Sequence, residues 1–454
     1  MCEESLMSDI SENVAKEVSN ASLYNEILNA YEAQETSIKI EYLSTKITYV
    51  SPVNFNESIK SPIHRWFPYK EGFSPSFVKK FLSEYCLKPN ANVLDPFAGV
   101  GTTLLEGVNM GFNTYGFEVS PMSYFVAGTK LKDFDDNDLT DLKRWSMLFT
   151  DSNLTEVAQM PPNKTVISYF HHEVLTDLLR IKAFYKCIEN QNVQALFKLA
   201  FLNCLERFST HRKAGNGVKR KTRPSFNQSE KALGQIKLSI IQDLEKFVED
   251  IVLSSRLGSS NLTKGSCLTE SLYTENVKYD VILTSPPYAN CFDYSKIYMT
   301  ELWLGDFFVD AAGQKDFRQQ SVRSHVHARW ESRYFEYGLE LVNKHIYNYL
   351  TTIKLWSNQI PIMLSGYFAD MGYLLNILSK KCNQGATIGL VVGNSYYGGL
   401  PIATDLLISM LGRQFGFETL KISVYRNIVV SSQQFSHALD KKFMRESLVI
   451  MRKI

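Results

Sequence analysis

The sequence predicts an α/β protein built on a mainly parallel sheet, with helices on both faces and helical insertions between strands. Three observations predict it. Residues 91–118 read as strand, glycine-containing turn, helix and strand, the pattern of a βαβ unit. Tyr279 to Leu283 (Tyr-Asp-Val-Ile-Leu) has the character of a strand buried on both faces. Residues 386–451 then return to alternating strand and helix patterns. A chain of 454 residues with 44% hydrophobic content is ample for such a core with large insertions.

In chain order, Glu12 to Ala33 reads as a polar helix, and Ile38 to Val50 alternates apolar and polar residues as a strand or hairpin would. Ser74-Pro75 opens a helix through Leu82, because serine suits the N-cap and proline the first helical position. Ala91 to Leu94 is a strand, Asp95 to Gly101 a turn, Thr102 to Met110 a helix, and Asn113 to Phe117 a strand ending in Glu118. Helical patterns run over Asp138 to Phe208 and Glu230 to Ser254, separated by the basic, glycine-containing stretch His211 to Arg223. Tyr334 to Lys381 is helical, with an aromatic-rich part that reads as core. Strands follow at Ala386 to Val392, Thr419 to Arg426 and Ser447 to Met451, with a helix over Thr404 to Phe415. The expected organisation is an N-terminal extension (1–60), a core part (61–135), a helical insertion with the basic loop (136–262), a second core part (263–305), a second helical insertion (306–383) and closing strands (384–454).

Composition excludes several classes. The formal net charge is +2, so any nucleic-acid contact must come from local concentrations of charge. The 7 cysteines are scattered without a C-x-x-C pair, which argues against a disulfide framework or structural zinc and fits a reducing cytoplasm. Met1 to Asn20 is polar and acidic, unlike a signal peptide. Nowhere does a run of about 18 apolar residues suggest a membrane span.

Asp95-Pro96-Phe97-Ala98-Gly99-Val100-Gly101-Thr102-Thr103 is the first motif with chemical content. Glycines let the backbone approach a ligand, and the following helix aims free N–H groups at it. Glu118, at the end of the next strand, stands where a ribose diol would be gripped. Two glycines after a strand occur in many turns. Here an acid, an aromatic, both glycines, two threonines and Glu118 coincide. The third glycine of the dinucleotide fingerprint and the phosphate-loop lysine motif are both missing, which favours S-adenosylmethionine over NAD or ATP.

Thr284-Ser285-Pro286-Pro287-Tyr288 is the second motif, placed where a buried strand ends and where ligands of parallel sheets bind. Two prolines fix the backbone, so the Ser285 side chain and the carbonyl beyond it keep their directions. Acceptors aimed at both hydrogens of an exocyclic amino group localise its lone pair for attack on a methyl group. Tyr288 offers a face on which a flipped base can stack. The alternative for this motif is a structural turn.

Together these motifs resemble the amino-methylating DNA methyltransferase family, whose members act on cytosine N4 or adenine N6. Ile63 to Tyr69 followed by Phe73-Ser74-Pro75 resembles the family's segment before the cofactor turn. Asp293-Tyr294 with Glu301 to Gly305, Val392 to Ser395 and Arg445 to Ser447 are similar to its later segments. The resemblance implies a Rossmann-like methyltransferase sheet and S-adenosylmethionine as cofactor. It implies Phe73, Ser74, Asp95, Pro96, Phe97, Gly99, Gly101, Thr102, Thr103 and Glu118 around that cofactor. Where the family often has an acid near the adenine, this chain has Gly265-Ser266-Cys267, which implies a contact from Ser266 or none. Ser285, Pro286, Pro287 and Tyr288 would hold the target amino group. Serine in the first position leans towards cytosine N4, and no Pro-Cys pair is present for C5 chemistry.

Double-stranded DNA is the expected partner, with a cognate restriction nuclease beside it and a cytoplasmic location. Arg212, Lys213, Lys219, Arg220, Lys221 and Arg223 lie in a stretch without acids, expected as a flexible phosphate-binding loop. Asn290 and Arg323 are further expected DNA contacts. Arg323 lies in a looser basic stretch with Arg318, His325, His327 and Arg329. No metal is expected, because these histidines have no carboxylate or cysteine at ligand spacing. The rival readings are an adenine-N6 enzyme, an RNA amino-methyltransferase, and a DNA-binding protein with an inactive core.

Overall fold

The computed structural model describes residues 20–44, 46, 51, 53–215, 217–223, 232–327, 333–428 and 442–454. It divides into two units. One comprises Met1–Ser51, Cys267–Phe292 and Ser321–Ile454; the other comprises Pro52–Ser266 and Asp293–Gln320. The unit boundaries fall after Ser51, Ser266, Phe292 and Gln320. From the N-terminal side, residues 20–36 are helical and lead into the short strand β1 (Ile40–Tyr42). The remainder of the expected strand or hairpin, at 47–50, lies outside the described residues.

The Pro52–Ser266 unit carries the βαβ element. Ser74 caps the helix Pro75–Tyr85 by accepting the Phe77 N–H at 3.2 Å. Strand β2 (Asn92–Asp95) feeds the helix Thr102–Asn109, which returns to β3 (Asn113–Glu118), and β2 and β3 run parallel. Further helices at Asp136–Asp151, His172–Lys186, Gln191–Phe208 and Ala232–Leu253 build the insertion. Between the last two, β4 (His211–Ala214) and β5 (Gly217–Arg220) form an antiparallel hairpin. The basic stretch is therefore not a flexible loop. Gly215, at φ +57°, makes the turn, and residues on either side alternate faces. Strand β6 (Ser259–Lys264) pairs parallel with β3. The sequence does not announce β6, because it contains a single strong apolar residue, Leu262. An edge strand needs no apolar run.

In the other unit, β7 (Tyr279–Thr284) runs parallel to β8 (Cys382–Gly393). Strands β9 (Ser395–Tyr397) and β10 (Leu400–Ile402) form a small hairpin. Strand β11 (Phe417–Asn427) accepts β1 in parallel, and β12 (Arg445–Lys453) lies antiparallel between β11 and β8. Helix Ile360–Lys381 is buried along most of its length, whereas in the aromatic-rich stretch Tyr334 to Trp356, expected as core, Tyr349 is buried and Trp356 is 59% exposed. Leaving the hairpins aside, four of the six pairings within units are parallel. The class is α/β, with a mainly parallel sheet and helices on both faces. Among the described residues, no helix is long and apolar enough to cross a membrane.

Candidate functional site

The first candidate constellation lies at the C-terminal ends of β2 and β3. Gly99 and Gly101 adopt φ of +53° and +85°, values an L side chain rarely takes. A Cβ on Gly101 would sit 3.2 Å from the Ala127 methyl, and one on Gly99 would sit 3.4 Å from the Tyr69 ring. The turn is thus lined by backbone. Asp95, Pro96, Thr102 and Thr103 are buried beneath it, while Phe97 and Gly99 remain partly open. Asp95 accepts the Phe97 N–H at 3.1 Å, and Ala98 donates to the Phe117 carbonyl at 2.9 Å, so the turn is tied to both strands.

Glu118 completes the turn. One carboxylate oxygen accepts the Gly99 N–H at 2.7 Å and the other the Ser120 N–H at 2.6 Å. Burial pushes its carboxyl up to about 8 despite these two donors, and nearby Asp95 adds to the rise. Each oxygen keeps further lone-pair capacity, so a neighbouring diol could be accepted as well. Ser266 follows β6, half-buried, and the Gly265 N–H before it donates to the Glu118 carbonyl at 3.0 Å. That bond puts Ser266 at the same strand ends as Glu118.

Phe73 and Ser74 belong to a segment that is firmly held. Asp250, itself buried, collects the Ile63 N–H at 2.8 Å, the Trp66 indole at 2.9 Å and the Arg65 guanidinium at 2.8 Å. His64 meets the buried Glu106 at 2.6 Å, and the Lys130 ammonium donates to the His64 carbonyl at 3.1 Å. Phe73 packs on Phe77, with ring centroids 5.3 Å apart, and Ser74 is the helix cap. The sequence offered no sign of Asp250, which stands 184 residues from Trp66.

The second constellation is the loop after β7. Ser285 donates its hydroxyl hydrogen to the Val391 carbonyl at 3.2 Å. Its oxygen lone pairs are thereby left to accept. Tyr288 is seated from two sides. Its hydroxyl donates to Glu446 at 3.0 Å, and Arg426 holds the other oxygen of that carboxylate at 2.5 Å. Its ring lies against Gly393, where a Cβ would come within 2.7 Å of two ring carbons. Glu446 and Gly393 are direct cross-strand partners of β12 and β8. A buried network fixes that register: Asp405 takes Asn394 at 2.9 Å, Arg445 at 2.7 Å and Ser447 at 3.0 Å. Beyond the motif, the Tyr397 hydroxyl donates to the Ala289 carbonyl at 2.9 Å, and the Asn290 N–H to the Tyr288 carbonyl at 2.8 Å. Asn290 is therefore part of the turn that carries Tyr288.

The expected DNA contacts separate into two kinds. In the hairpin, Arg212 and Lys219 are directly opposed and both exposed, with Arg220 and Arg223 exposed nearby. Lys213 turns the other way, into ion pairs with Glu301 and with Glu206 at 3.2 Å. Burial alone would depress its ammonium, but the two carboxylates hold it above the ordinary lysine value. Lys221 donates to the Glu206 and Arg207 carbonyls, at 2.6 and 3.1 Å. Beneath the hairpin is a cleft of about 580 Å³, lined among others by Phe67, Lys70, Arg207, Arg212 and Arg223. Arg323 is a correction. It is 1% exposed and grips Asp370 with two nitrogens, at 2.8 and 3.1 Å, so it is a core ion pair and no phosphate contact. Arg329 of the same basic stretch lies outside the described residues.

No protein-family model matches the chain. It is similar to type II methyltransferases over most of its length. Type II methyltransferase M.BsoBI of Geobacillus stearothermophilus is 27% identical over 456 residues, covering 88% of this chain and 87% of that protein. Type II methyltransferase M.AvaI of Nostoc is 28% identical over 455 residues, covering 91% of this chain and 90% of the relative. Type II methyltransferase M.MvaI of Kocuria varians aligns at 22% over 55% of this chain and 59% of its own length. Because the first two alignments run nearly end to end, they include both constellations and the insertion with the basic hairpin.

Proposed function

We propose, from this likeness to type II methyltransferases, that the chain is a site-specific DNA methyltransferase. The reading assigns S-adenosylmethionine as methyl donor and the exocyclic amino group of a base, cytosine N4, as target. The observation that carries it is the seat of Tyr288 on Gly393 and Glu446, directly after a serine whose hydroxyl is committed as donor to Val391. Such a loop presents acceptors and one fixed aromatic face, which is what an amino-bearing base needs.

The residues around Gly99 fit the donor. A turn lined by backbone accepts a bulky ligand closely, and Glu118 can take two hydroxyls of a ribose while Ser266 stands at the neighbouring strand end. When bound, this cofactor supplies a methyl group activated on a sulfonium sulfur. The chain's own residues position and polarise. Ser285 and the Pro286 carbonyl accept the two amino hydrogens and draw the nitrogen towards a tetrahedral shape, and Tyr288 holds the base plane by stacking. Arg212, Lys219, Arg220 and Arg223 contact phosphates, which position the duplex without reading it. Base flipping supplies access to the amino group. In this reading the protein modifies DNA alongside a cognate nuclease.

The test is incubation of the purified protein with labelled S-adenosylmethionine and mixed-sequence duplex DNA, followed by digestion to nucleosides and mass spectrometry. Label on N4-methylcytosine is the expected result. Label on N6-methyladenine would keep the mechanism and change the base, whereas label only on RNA offered in parallel would overturn the reading.

A further inference from the structure

One set of contacts has no task in the chemistry above. It runs from the underside of the basic hairpin to the glycine turn, entirely within the Pro52–Ser266 and Asp293–Gln320 unit. Lys213, on the face of β4 opposite Arg212 and Lys219, lies with its ammonium 4.7 Å from the centre of the Tyr298 ring. The Tyr298 hydroxyl donates to Glu71, a carboxyl whose value burial raises while Tyr298 and Lys213 oppose the rise. Tyr298 stacks on Tyr69, with centroids 5.3 Å apart and planes 21° from parallel. Tyr69 in turn abuts Gly99 and hydrogen-bonds Ser123, in the helix that begins just after Glu118. A second strand of the same connection is Lys70, whose ammonium donates to the Lys213 carbonyl at 3.5 Å.

Resting on the reading of the hairpin as DNA-binding and of the turn as cofactor-binding, we propose that Lys213, Tyr298 and Tyr69 are positioning residues that couple the two sites. Occupancy of the hairpin by a DNA backbone and of the turn by S-adenosylmethionine each strengthens the other.

Arg212 and Lys219 face each other as like charges on the hairpin, an arrangement that relaxes when a phosphate sits between or beside them. Any shift of β4 moves Lys213, which cannot slip independently because Glu301 and Glu206 clamp it. The ring stack then reaches Gly99, where the position of Tyr69 sets the space beside the backbone that lines the turn. Lys213, with its two carboxylates and the Tyr298 ring, is thus spent on the protein itself. That is an odd use of a cation in a hairpin whose Arg212, Lys219 and Arg220 are exposed.

Coupling is reciprocal for binding free energies, so it is measurable from either side. Titrate S-adenosylmethionine by calorimetry into the full chain alone and into the chain saturated with mixed-sequence duplex DNA, for the wild type, Lys213→Met and Tyr298→Leu. The wild type should bind the cofactor about 5- to 50-fold more tightly with DNA present, within the usual range of coupling. Both variants should keep DNA-free cofactor affinity within about twofold and lose most of that enhancement, a pattern that a merely structural role would not produce. If Lys213→Met does not fold, Tyr298→Leu still decides the matter, since it removes the ring that joins Lys213 to Tyr69. Equal enhancement in wild type and variants overturns the relay. Absence of enhancement in the wild type, with both ligands binding, overturns the coupling but leaves the proposed function intact. Failure of either ligand to bind the wild type removes that function and the coupling together.

Discussion

The glycine turn and the Ser285 loop both follow the C-terminal end of a buried strand, yet they are built on opposite principles. In the turn, backbone freedom is the resource: two glycines at positive φ make the bend and carry no side chain into it. Two acidic side chains are committed there to the backbone itself, Asp95 to Phe97 and Glu118 to Gly99 and Ser120. In the Ser285 loop, freedom is removed. Two prolines stiffen the chain, Tyr397 pins the Ala289 carbonyl, and Glu446 with Gly393 fixes one ring. The difference suggests a division of labour: the turn serves affinity for a ligand, and the loop serves the geometry of a reaction.

That division can be broken by mutation. The largest effect is expected at the loop. Ser285→Ala and Tyr288→Ala should each lower single-turnover methyl transfer about 10²- to 10³-fold, the scale of removing one aligned polar group, with cofactor affinity nearly unchanged. Gly393→Ala sharpens the point. Its added methyl would collide with the Tyr288 ring at 2.7 Å without touching any ligand, and turnover should fall at least tenfold. A normal rate in that variant would mean that the seat of Tyr288 does not matter. At the turn, Gly101→Ala should do the reverse. Strain at φ +85° and crowding against Ala127 cost about 1–3 kcal/mol, so the cofactor dissociation constant should rise about 10- to 100-fold while turnover at saturating cofactor holds.

Glu118 makes a finer test, because its carboxyl is raised to about 8 and a ribose diol prefers the ionised form. Below that value the group must lose a proton before it can accept two hydroxyls well. The dissociation constant for the cofactor should fall up to about tenfold per pH unit from 6 to 7 and level off above 8. The stability of the ligand-free chain should move the other way. A carboxyl with a raised folded value contributes stability that is present at low pH and is lost as pH rises through about 8. Titration calorimetry and thermal melts in the same buffers read both slopes. A pH-independent affinity would remove Glu118 from the ribose role.

Both motifs and the strands that carry them were legible because their signals are local. Asp95 to Thr103, Glu118 and Ser285 to Tyr288 are contiguous patterns with strong backbone requirements. What escaped was everything set by pairing across distance. Gly393 and Glu446 are cross-strand neighbours 53 residues apart, and only the β8–β12 register makes them the two sides of one seat. Strand β6 was invisible because an edge strand needs little hydrophobicity. Charge was the least readable property. Arg323 and Arg212 look alike in a basic stretch, yet one is sealed against Asp370 and the other is exposed, and composition carries no information on which acid will fold against which base.

The basic hairpin supplies the smallest expected effects and the most direct contrast with that buried pair. Arg212→Ala or Lys219→Ala should weaken duplex binding only a few-fold, uniformly across sequences. Each should reduce the slope of log affinity against log salt by about 1, the signature of one lost phosphate contact. Neither should shift the thermal midpoint measurably, since both side chains are exposed. Arg323→Met, by comparison, leaves the Asp370 carboxylate buried without its arginine, so its damage should register in unfolding and not in the salt slope. The alternation of β4 and β5 places Arg212 and Lys219 together on one face, so the double variant should lose about as much slope as the two singles combined. A double variant with an unchanged slope would mean that the duplex lies elsewhere, and that two opposed cations are maintained on this hairpin for a different anion.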